Sequence, residues 1–480
     1  MEFRPVFYII GFLLSALSIL MCIPGIIDAY LGNDEWQVFI FTSLICLFVG
    51  VIFILANKSS DFNLSIRQAF LLTTLSWVFI ALFGCIPFIF SNLQLSFTDA
   101  FFESMSGITT TGSTVISGLD SLPHGILFWR SLLQWIGGIG IIVIAIAILP
   151  ILNIGGMQLF QSESSVSSEK VLPRAAQIAN AIGTIYLSLT LLCAFFLWFY
   201  GMSFFDAINH SMTTIATGGF STSDNSIGKF NNLNIEIVIS IFMLLGSLPF
   251  VLYLQTVKGN IFSLFKDSQV QSFLLLVLFS IIAVAFWKYQ TTGNFFANFR
   301  SSIFNTISIF TGTGYSTQDF NNWGSFTTIL FLFLMVIGGC AGSTTCGIKI
   351  FRLQILYQTA KAQIVKLLQP HSVVIPKYNK MPVSEAITTS VMGYFFMFII
   401  TYIILILILS FLGNDILTSL SGAASSIANV GPGLGNVIGP TKTFAELSDP
   451  SKWVLILGML IGRLELLAVI VLLTPIFWKD

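Results

Sequence analysis

Residues 96–112 read SFTDAFFESMSGITTTG, and residues 203–219 read SFFDAINHSMTTIATGG. Aligned without a gap, the two stretches are identical at nine of 17 positions. Each is an apolar segment of helical length that ends in a run rich in Gly and Thr. Two further runs, TGTGYST at 311–317 and ANVGPG at 428–433, end apolar segments in the same way. The chain therefore contains one unit that occurs four times.

The composition is that of a protein embedded in lipid. Hydrophobic residues make up 55% of the 480 residues and charged residues 9%, whereas soluble domains have about 25% charged residues. Ten apolar stretches reach the roughly 20 residues that a membrane-spanning helix needs. The first has no small-residue cleavage site, which favours a retained helix over a signal peptide. The predicted spans are 5–29, 37–56, 68–91, 125–151, 180–201, 234–256, 270–290, 325–350, 387–412 and 453–476.

Four shorter apolar stretches lie directly before the Gly-rich runs. At about 12 residues they are too short to cross a membrane but suit a helix that enters and returns on one side. We predict an all-α polytopic membrane protein with four span–pore-helix–span repeats around one pore, plus an N-terminal two-helix hairpin. The short pore helices are predicted at 97–108, 204–215, 298–310 and 416–427.

The domain boundaries are predicted in the loops between the repeats. The N-terminal transmembrane hairpin covers residues 1–60. The four pore repeats cover 61–152, 153–258, 259–352 and 353–480. Lys and Arg are concentrated at the two termini and in every second loop, which predicts a cytoplasmic N-terminus and Gly-rich runs that open to the outside.

Several other functions are disfavoured by the residues that the chain offers. The six cysteines all lie in apolar segments and are interpreted as buried hydrophobes, not as a disulfide framework or zinc cluster. Three scattered histidines cannot form a His-rich metal site. Zero formal net charge argues against nucleic acid as a partner. An intramembrane enzyme would need a nucleophile with a base, or an H-E-x-x-H pair, and the sequence shows neither.

The Gly-rich runs have a physical use that explains their repetition. Irregular backbone at membrane depth is stable only inside the protein or around a wet cavity. Four such loops around one axis can replace the hydration shell of a cation with carbonyl oxygens, and each pore helix directs its negative end at that axis. The absence of acidic residues from the runs favours a monovalent cation over a divalent one. One run alone would be typical of helix packing; four in register favour an ion path.

The pattern resembles the Trk/Ktr/HKT superfamily of potassium transporters over about residues 68–476. The additional hairpin makes it most similar to the Trk-type membrane subunit. In that family each repeat contributes one part of a selectivity filter, and glycine at 112 implies potassium rather than sodium. Pro432, which fixes φ and lacks an N–H, predicts a departure from fourfold symmetry in the last part. The resemblance implies K⁺ binding, as the only metal, at Thr110, Thr111, Gly112, Thr217, Gly218, Gly219, Gly312, Thr313, Gly314, Asn429, Val430 and Gly431.

A broken helix is predicted where residues 338–347, GGCAGSTTCG, interrupt the eighth span, because glycine weakens a helix. In the family this segment is a gate loop beneath the filter, and close helix packing is the alternative. The resemblance implies that the gate consists of Gly338, Gly339, Gly342, Ser343 and Arg463.

Arg463 lies near the centre of the last predicted span, where a charge is costly and by default functional. Glu465 is two residues away and does not share its helix face. The family places an arginine here as a barrier to cations, and the alternative is a buried ion pair between two helices. Arg130, between Trp129 and Trp135, is expected to be an anchor at the membrane interface.

The resemblance implies channel-like potassium uptake across the cytoplasmic (inner) membrane. It implies no cofactor in this chain besides K⁺ as the transported ion, a homodimer in lipid, and a cytosolic regulatory subunit that binds the nucleotide. The basic loops 152–179 and 351–386 are the expected docking surface for that subunit. The alternative is a potassium symporter coupled to Na⁺ or H⁺. Symporters tend to have inverted repeats and buried midplane acids, whereas these repeats run in parallel order.

Overall fold

The computed structural model describes residues 2–58, 65–147, 156–157, 171–260, 262–293 and 295–479. Within these residues the regular structure is helical, apart from two antiparallel strands of two residues each, β1 (Lys377–Tyr378) and β2 (Met381–Pro382). In the same residues seven helices are long and apolar enough to cross a membrane, and nine if each of two bent helix pairs is one span. The predicted all-α polytopic fold is therefore confirmed.

The helices follow the predicted order of a hairpin and four repeats. The hairpin consists of α1 (Arg4–Leu31) and α2 (Trp36–Ala56). Repeat 1 contains α3 (Ile66–Gly84), α4 (Ile86–Phe90), α5 (Phe97–Ile108) and α6 (His124–Ala147). Repeat 2 contains α7 (Val171–Phe199), α8 (Phe204–Ile215), α9 (Leu233–Gly246) and α10 (Phe250–Val257).

Repeats 3 and 4 continue the pattern, with short additional helices at their ends. Repeat 3 contains α11 (Ser263–Lys266), α12 (Ser268–Thr292), α13 (Phe295–Phe310), α14 (Ser325–Ile337) and α15 (Ile350–Leu368). Repeat 4 contains α16 (Glu385–Phe411), α17 (Ile416–Ala428), α18 (Asp449–Arg463), α19 (Leu467–Ile470) and α20 (Pro475–Trp478).

The short helices α5, α8, α13 and α17 are the predicted pore helices, and they lie inside the protein. Every residue of α5 from Ala100 onward is buried, whereas α2 exposes large apolar side chains on its outer face. Side-chain caps fix three of the starts. Ser96 Oγ accepts from Asp99 N (3.1 Å), Ser203 Oγ from Asp206 N (3.0 Å) and Asp415 Oδ2 from Thr418 N (3.1 Å). Central, capped helices of this length can point their ends at a common axis.

The third pore helix differs from its prediction. The predicted helix starts at residue 298, but α13 begins at Phe295. Asn298 therefore lies inside the helix, and its side-chain amide donates to the carbonyl of Lys288 on α12 (3.3 Å). A short polar side chain at the start of a helix and one that bonds a neighbouring helix look alike in sequence.

The helix is broken inside three of the predicted spans, and only the break within 325–350 was predicted. The span 234–256 is divided into α9 and α10, which meet at 93°, because Pro249 lacks an amide donor and disfavours helical backbone in the residue before it. The span 325–350 ends at Ile337, and the chain is unwound until α15 begins. The span 453–476 bends by 109° after α18. The broken helices place irregular backbone inside the protein.

Two of the four predicted domain boundaries can be compared with the structure. The other two, at 60/61 and 152/153, lie outside the described residues, as does most of the basic loop 152–179. The boundary at 258/259 lies between α10 and α11, whereas the boundary at 352/353 falls within α15. The helix α15 therefore joins repeats 3 and 4 without a loop at that point.

The N-terminal hairpin packs against repeat 1. Helices α1 and α2 cross at two glycines, where a Cβ atom on Gly11 would meet the Gly50 carbonyl oxygen at 2.7 Å. At the other end of α1, buried Asp28 accepts a hydrogen bond through Oδ1 from the backbone N–H of Gly125 (2.8 Å). This carboxylate lies at the start of α6, where a helix has free N–H groups and a positive end. The hairpin therefore supplies a hydrogen-bond acceptor to the start of α6.

Candidate ion pathway

The chain makes the same turn at the end of each pore helix. Two residues with positive φ, separated by one residue, follow the helix in every repeat. In the first repeat these are Thr110 (φ 53°) and Gly112 (φ 87°). Residues other than glycine rarely adopt this backbone, so its occurrence at equivalent positions indicates one shared structure. The remaining pairs are Thr217 and Gly219, Gly312 and Gly314, and Asn429 and Gly431.

The same hydrogen bond closes all four turns. The backbone N–H of the middle residue donates to the carbonyl five residues earlier in the pore helix. This bond satisfies a carbonyl that the end of a helix would leave unpaired. The pairs are Thr111 and Ser106 (2.9 Å), Gly218 and Thr213 (2.9 Å), Thr313 and Ser308 (2.9 Å), and Val430 and Ser425 (3.0 Å).

The four turns contact one another and form a closed ring. We call residues 110–112, 217–219, 312–314 and 429–431 the loop ring. The last residue of each part is a glycine. A Cβ atom added to it would lie less than 3.0 Å from a carbonyl oxygen of the next repeat, closer than real Cβ atoms come. Only glycine fits at such a position. The contacts join Gly112 to Gly218, Gly219 to Thr313, Gly314 to Val430, and Gly431 to Thr111 (2.8 Å).

All twelve residues predicted for the filter lie in this ring. The glycine that ends each part of the ring also lines a cavity of about 190 Å³. This cavity lies on the side of the ring where the chain continues into the following loops. Ser113, Asp224 and Lys442 are among the residues of its wall. The ring therefore forms the floor of a cavity whose wall contains side chains of both charges.

The fourth part of the ring departs from the others, as Pro432 led us to expect. The carbonyl oxygen of Gly431 accepts hydrogen bonds from Ser113 Oγ (2.7 Å) and Ser425 Oγ (2.8 Å). Pro432 itself packs against the position where Gly314 would carry a Cβ atom. The loop ring thus has fourfold order in its backbone turns but not in the hydrogen bonds of its carbonyls.

Beneath the ring, residues 338–349 form an unwound segment between α14 and α15. The chain doubles back there, because Ile348 N donates to Val336 O (3.0 Å) and Ile350 N donates to Gly339 O (3.0 Å). The alternative of close helix packing is therefore wrong. Gly338 and Gly342 have φ of 73° and 71°, and Ser343 Oγ donates to the Cys340 carbonyl (2.6 Å). The four predicted loop residues all belong to this segment.

The unwound segment contacts the loop ring from below. Thr344 Oγ1 lies 3.1 Å from Thr217 Oγ1. The Thr344 hydroxyl also donates to the carbonyl of Gly246 (2.9 Å), at the end of α9. Phe250 N, at the start of α10, donates to the carbonyl of Gly342 (2.9 Å). The break between α9 and α10 therefore provides backbone partners that a continuous helix would lack.

Arg463 is 1% exposed and lies against the same segment. Its Nη1 donates to the Thr344 carbonyl (2.9 Å) and to Cys346 Sγ (3.0 Å), and its Nη2 donates to the Gly137 carbonyl on α6 (3.0 Å). Among the described residues Arg463 forms no ion pair, so the alternative of a helix-joining pair is wrong. A guanidinium that bonds only neutral partners keeps its full positive charge in the interior.

The chain is similar to known proteins over its whole length. The sequence model of the TrkH family, described as a cation transport protein, matches residues 35–477. The chain belongs to the TrkH family. The Trk system potassium uptake protein TrkI of Halomonas elongata is 43% identical over 480 residues, which cover 100% of this chain and 98% of that protein. The Trk system potassium uptake protein TrkH of Vibrio parahaemolyticus is 38% identical over 488 residues and all of both chains.

A solved structure agrees with the fold of this TrkH-family chain. The crystal structure of the potassium transporter TrkH from Vibrio parahaemolyticus matches with a TM-score of 0.92 at 36% identity and covers all of both chains. The resemblance inferred from the repeated Gly-rich runs is confirmed, and so is the predicted fold class.

The sequence did not predict a buried ion pair that lies next to the loop ring. Glu103 on α5 and Arg130 on α6 are 0% and 1% exposed, and Arg130 Nε lies 2.8 Å from Glu103 Oε1. We call them the outer clasp. Glu103 Oε2 accepts from Val115 N (2.9 Å), and Arg130 Nη1 donates to the Ser221 carbonyl (2.9 Å). The clasp joins the loops that follow the first two parts of the ring.

The expected role of Arg130 as an interfacial anchor is therefore wrong. Its guanidinium is buried and lies 4.1 Å from the centre of the Phe220 ring. The missed signal was an acid inside an apolar pore helix and a base inside an apolar span, since such residues usually pair. Nearer the surface, Asp120 and Lys229 join the same two repeats, and the hydrogen bond from Lys229 lowers the pKa of Asp120.

Glu103→Gln is expected to lower the free energy of unfolding by about 3–5 kcal/mol, because Arg130 would keep a buried charge without a counterion. Thermal unfolding of the purified protein in detergent measures the change. The same substitution at exposed Glu446 is the matched control and should leave the melting temperature unchanged. Equal melting temperatures for Glu103→Gln and the unaltered chain would show that the clasp does not stabilise the fold.

Proposed function

We propose that this chain is the membrane subunit of a potassium uptake system and that K⁺ passes through the loop ring in a channel-like manner. The observation that carries the proposal is the closed ring of four glycines, each packed against a carbonyl oxygen of the next repeat. The names of the relatives, potassium uptake proteins of Trk systems, support potassium as the ion. The loop ring is the proposed selectivity filter.

Backbone oxygens suit this task because they bind a dehydrated K⁺ without holding it too tightly. Glu103, an acid on the first pore helix, is engaged by Arg130, Thr114 and Val115. An ion in the ring would therefore meet neutral oxygens and the negative ends of four pore helices. A weakly held monovalent ion can leave as readily as it enters.

The unwound segment and Arg463 form the proposed gate. Thr344 of that segment touches the loop ring at Thr217, and Arg463 donates to Thr344 and Gly137 just below it. A positive charge held in a low-dielectric interior opposes the passage of another cation much more strongly than it would in water. Passage through this region would require the segment and the guanidinium to move.

A coupled potassium symporter is the second candidate. Secondary transporters commonly contain discontinuous helices near the membrane midplane, and this chain breaks at α9/α10, α14/α15 and α18/α19. We favour the channel-like mechanism because the four repeats run in parallel order and the ring contains no acidic residue.

The proposal includes the surroundings of the chain. We place it in the cytoplasmic membrane as a homodimer with a cytoplasmic N-terminus, so that the loop ring opens to the outside. A cytosolic regulatory subunit would supply the nucleotide, since K⁺ is the only small ligand proposed for this chain. The expected docking loop 351–386 lies wholly within the described residues. There Tyr357, Lys361, Ile364 and Leu368 are exposed along α15, as a docking surface requires.

Flux through K⁺-loaded liposomes separates the two mechanisms. Channel-like conduction predicts K⁺ efflux down its gradient without external Na⁺ and without a change of internal pH. A symporter would release K⁺ only with movement of Na⁺ or H⁺. Rescue of a potassium-uptake-deficient bacterium at low K⁺, with and without a nucleotide-binding regulatory subunit, tests the function in cells. Failure in both assays would refute potassium transport.

Gly112→Ser is expected to raise the ratio of Na⁺ to K⁺ flux by about tenfold, which corresponds to about 1.4 kcal/mol of relative barrier. The added side chain would collide with the Gly218 carbonyl oxygen and disturb the ring. Gly118→Ser is the matched control, since Gly118 also has positive φ (75°) but only Ser121 Oγ, at 3.7 Å, near its Cβ position. An unchanged ratio in Gly112→Ser would place Gly112 outside the filter.

Arg463→Ala is expected to raise K⁺ flux by about tenfold, again about 1.4 kcal/mol of barrier, because it removes the charge beneath the ring. Arg463→Lys keeps the charge and should retain most of the barrier. Both are measured in liposomes at equal protein density. A folded Arg463→Ala variant with flux at or below that of the unaltered chain would contradict the barrier.

A further inference from the structure

Residues other than glycine adopt positive φ at the end of the unwound segment and at the bend in the last span. Lys349, the last residue of the segment, has φ of 74°. Glu465 and Leu466, at the bend after α18, have φ of 59° and 38°. Such conformations persist only where neighbouring groups hold them in place. The holding groups at both positions turn out to be the same.

A buried triad joins the two strained positions. Glu465 Oε1 lies 2.8 Å from Lys349 Nζ, and Glu465 Oε2 accepts from Arg352 Nη2 at 2.6 Å. The side chains are 4%, 4% and 0% exposed for Glu465, Lys349 and Arg352. We call these three residues the latch triad. One carboxylate thus connects the end of the unwound segment, the start of α15 and the bend in the last span.

Arg352 is itself fixed by other contacts. Its guanidinium lies 3.7 Å from the centre of the Tyr394 ring on α16, and its Nη1 donates to the Ile348 carbonyl (3.1 Å). A planar guanidinium with a stacked ring on one face and fixed acceptors has little freedom to turn. The position of Glu465 is therefore defined by repeat 3 and repeat 4 together.

The last span holds the unwound segment at two points that are only two residues apart. Arg463 donates to Thr344 and Cys346 in the middle of the segment, and Glu465 binds Lys349 at its end. Because the bend separates Arg463 from Glu465, the direction of the Arg463 side chain depends on how Glu465 is held. Any displacement of α15 from the bend must break the latch triad.

We propose that Glu465 is a positioning residue that holds Arg463 and the unwound segment beneath the loop ring, and that the latch triad must separate when the path opens. This inference rests on the proposed function, in which those two elements form the gate. Glu465 acts through Arg463 and the segment and does not itself bind the ion. The outer clasp plays no part in it, because Glu103 and Arg130 lie among the loops on the opposite side of the ring.

The direction in which one substitution changes K⁺ flux separates this role from a simple effect of charge. Glu465→Gln leaves Lys349 and Arg352 without their counterion, so the local field becomes more positive. Charge alone would then lower K⁺ flux. Release of the latch would raise it, because Arg463 and the segment lose their support. We expect flux through liposomes to rise by about threefold or more, a modest reduction of the barrier, with the ratio of Na⁺ to K⁺ flux unchanged.

Several variants make the experiment decisive. Glu465→Asp should restore part of the normal flux. Glu465→Gln combined with Arg463→Ala should conduct at least as much K⁺ as Arg463→Ala alone, because it also releases the unwound segment. Glu35→Gln is the matched control, a buried glutamate in the hairpin that accepts from Asn92 N (2.8 Å), and its flux should equal that of the unaltered chain. If Glu465→Gln does not fold, the triple variant Lys349→Met/Arg352→Met/Glu465→Met removes the buried charges together, a change that proteins tolerate. It should also raise flux.

The outcomes distinguish the latch from the function on which it rests. If neither the unaltered chain nor Arg463→Ala carries K⁺ in liposomes or rescues the potassium-uptake-deficient bacterium, the proposed function is refuted. Flux that rises in Arg463→Ala but is unchanged or lower in a folded Glu465→Gln or triple variant would refute the latch alone. A rise in Glu465→Gln with an altered ion ratio would also refute it, since the effect would then lie in the filter.

Discussion

The structure depends on a steric contact between backbones: each of four glycines lies against a carbonyl oxygen of the neighbouring repeat. Any side chain at these positions would force the loops apart. The contact sets how closely the four pore helices approach, because each loop is tied to its own helix by the hydrogen bond from its middle residue. A ring assembled from one chain in this way leaves room for differences between its parts, as the bonded carbonyl of Gly431 shows.

The broken spans are explained by the need of backbone groups in the membrane for hydrogen-bond partners. A loop at membrane depth needs partners for its N–H and C=O groups, since lipid offers none. The unwound segment finds them in Ser247 and Gly246 at the end of α9, in Phe250 at the start of α10, and in its own doubled-back ends. The bend of 93° between α9 and α10 thus frees backbone groups that bond the segment packed against it. The breaks support one another and cannot be understood one helix at a time.

Buried charges join the repeats on both sides of the ring. The outer clasp ties the first two repeats to each other above it, and the latch triad ties the last two together below it. In both groups every charge has a close partner of opposite sign, whereas Arg463 bonds only neutral groups. Separating a buried charge from its partner is costly, so paired charges hold one arrangement. In the proposed function, the uncompensated charge of Arg463 acts on the passing ion.

The sequence by itself determined the membrane-embedded helical fold, the four repeats and the twelve ring residues, because hydrophobic length and a repeated Gly pattern are local properties of the chain. It also located the glycine-rich interruption at 338–347. Tertiary structure alone decided the bend at Glu465 and Leu466, where neither Gly nor Pro gives a signal, and the pairing of Glu103 with Arg130. It decided the partners of Arg463 as well. Those features arise from contacts between residues up to 326 positions apart, and the partner of a buried charge is fixed only when the helices have packed.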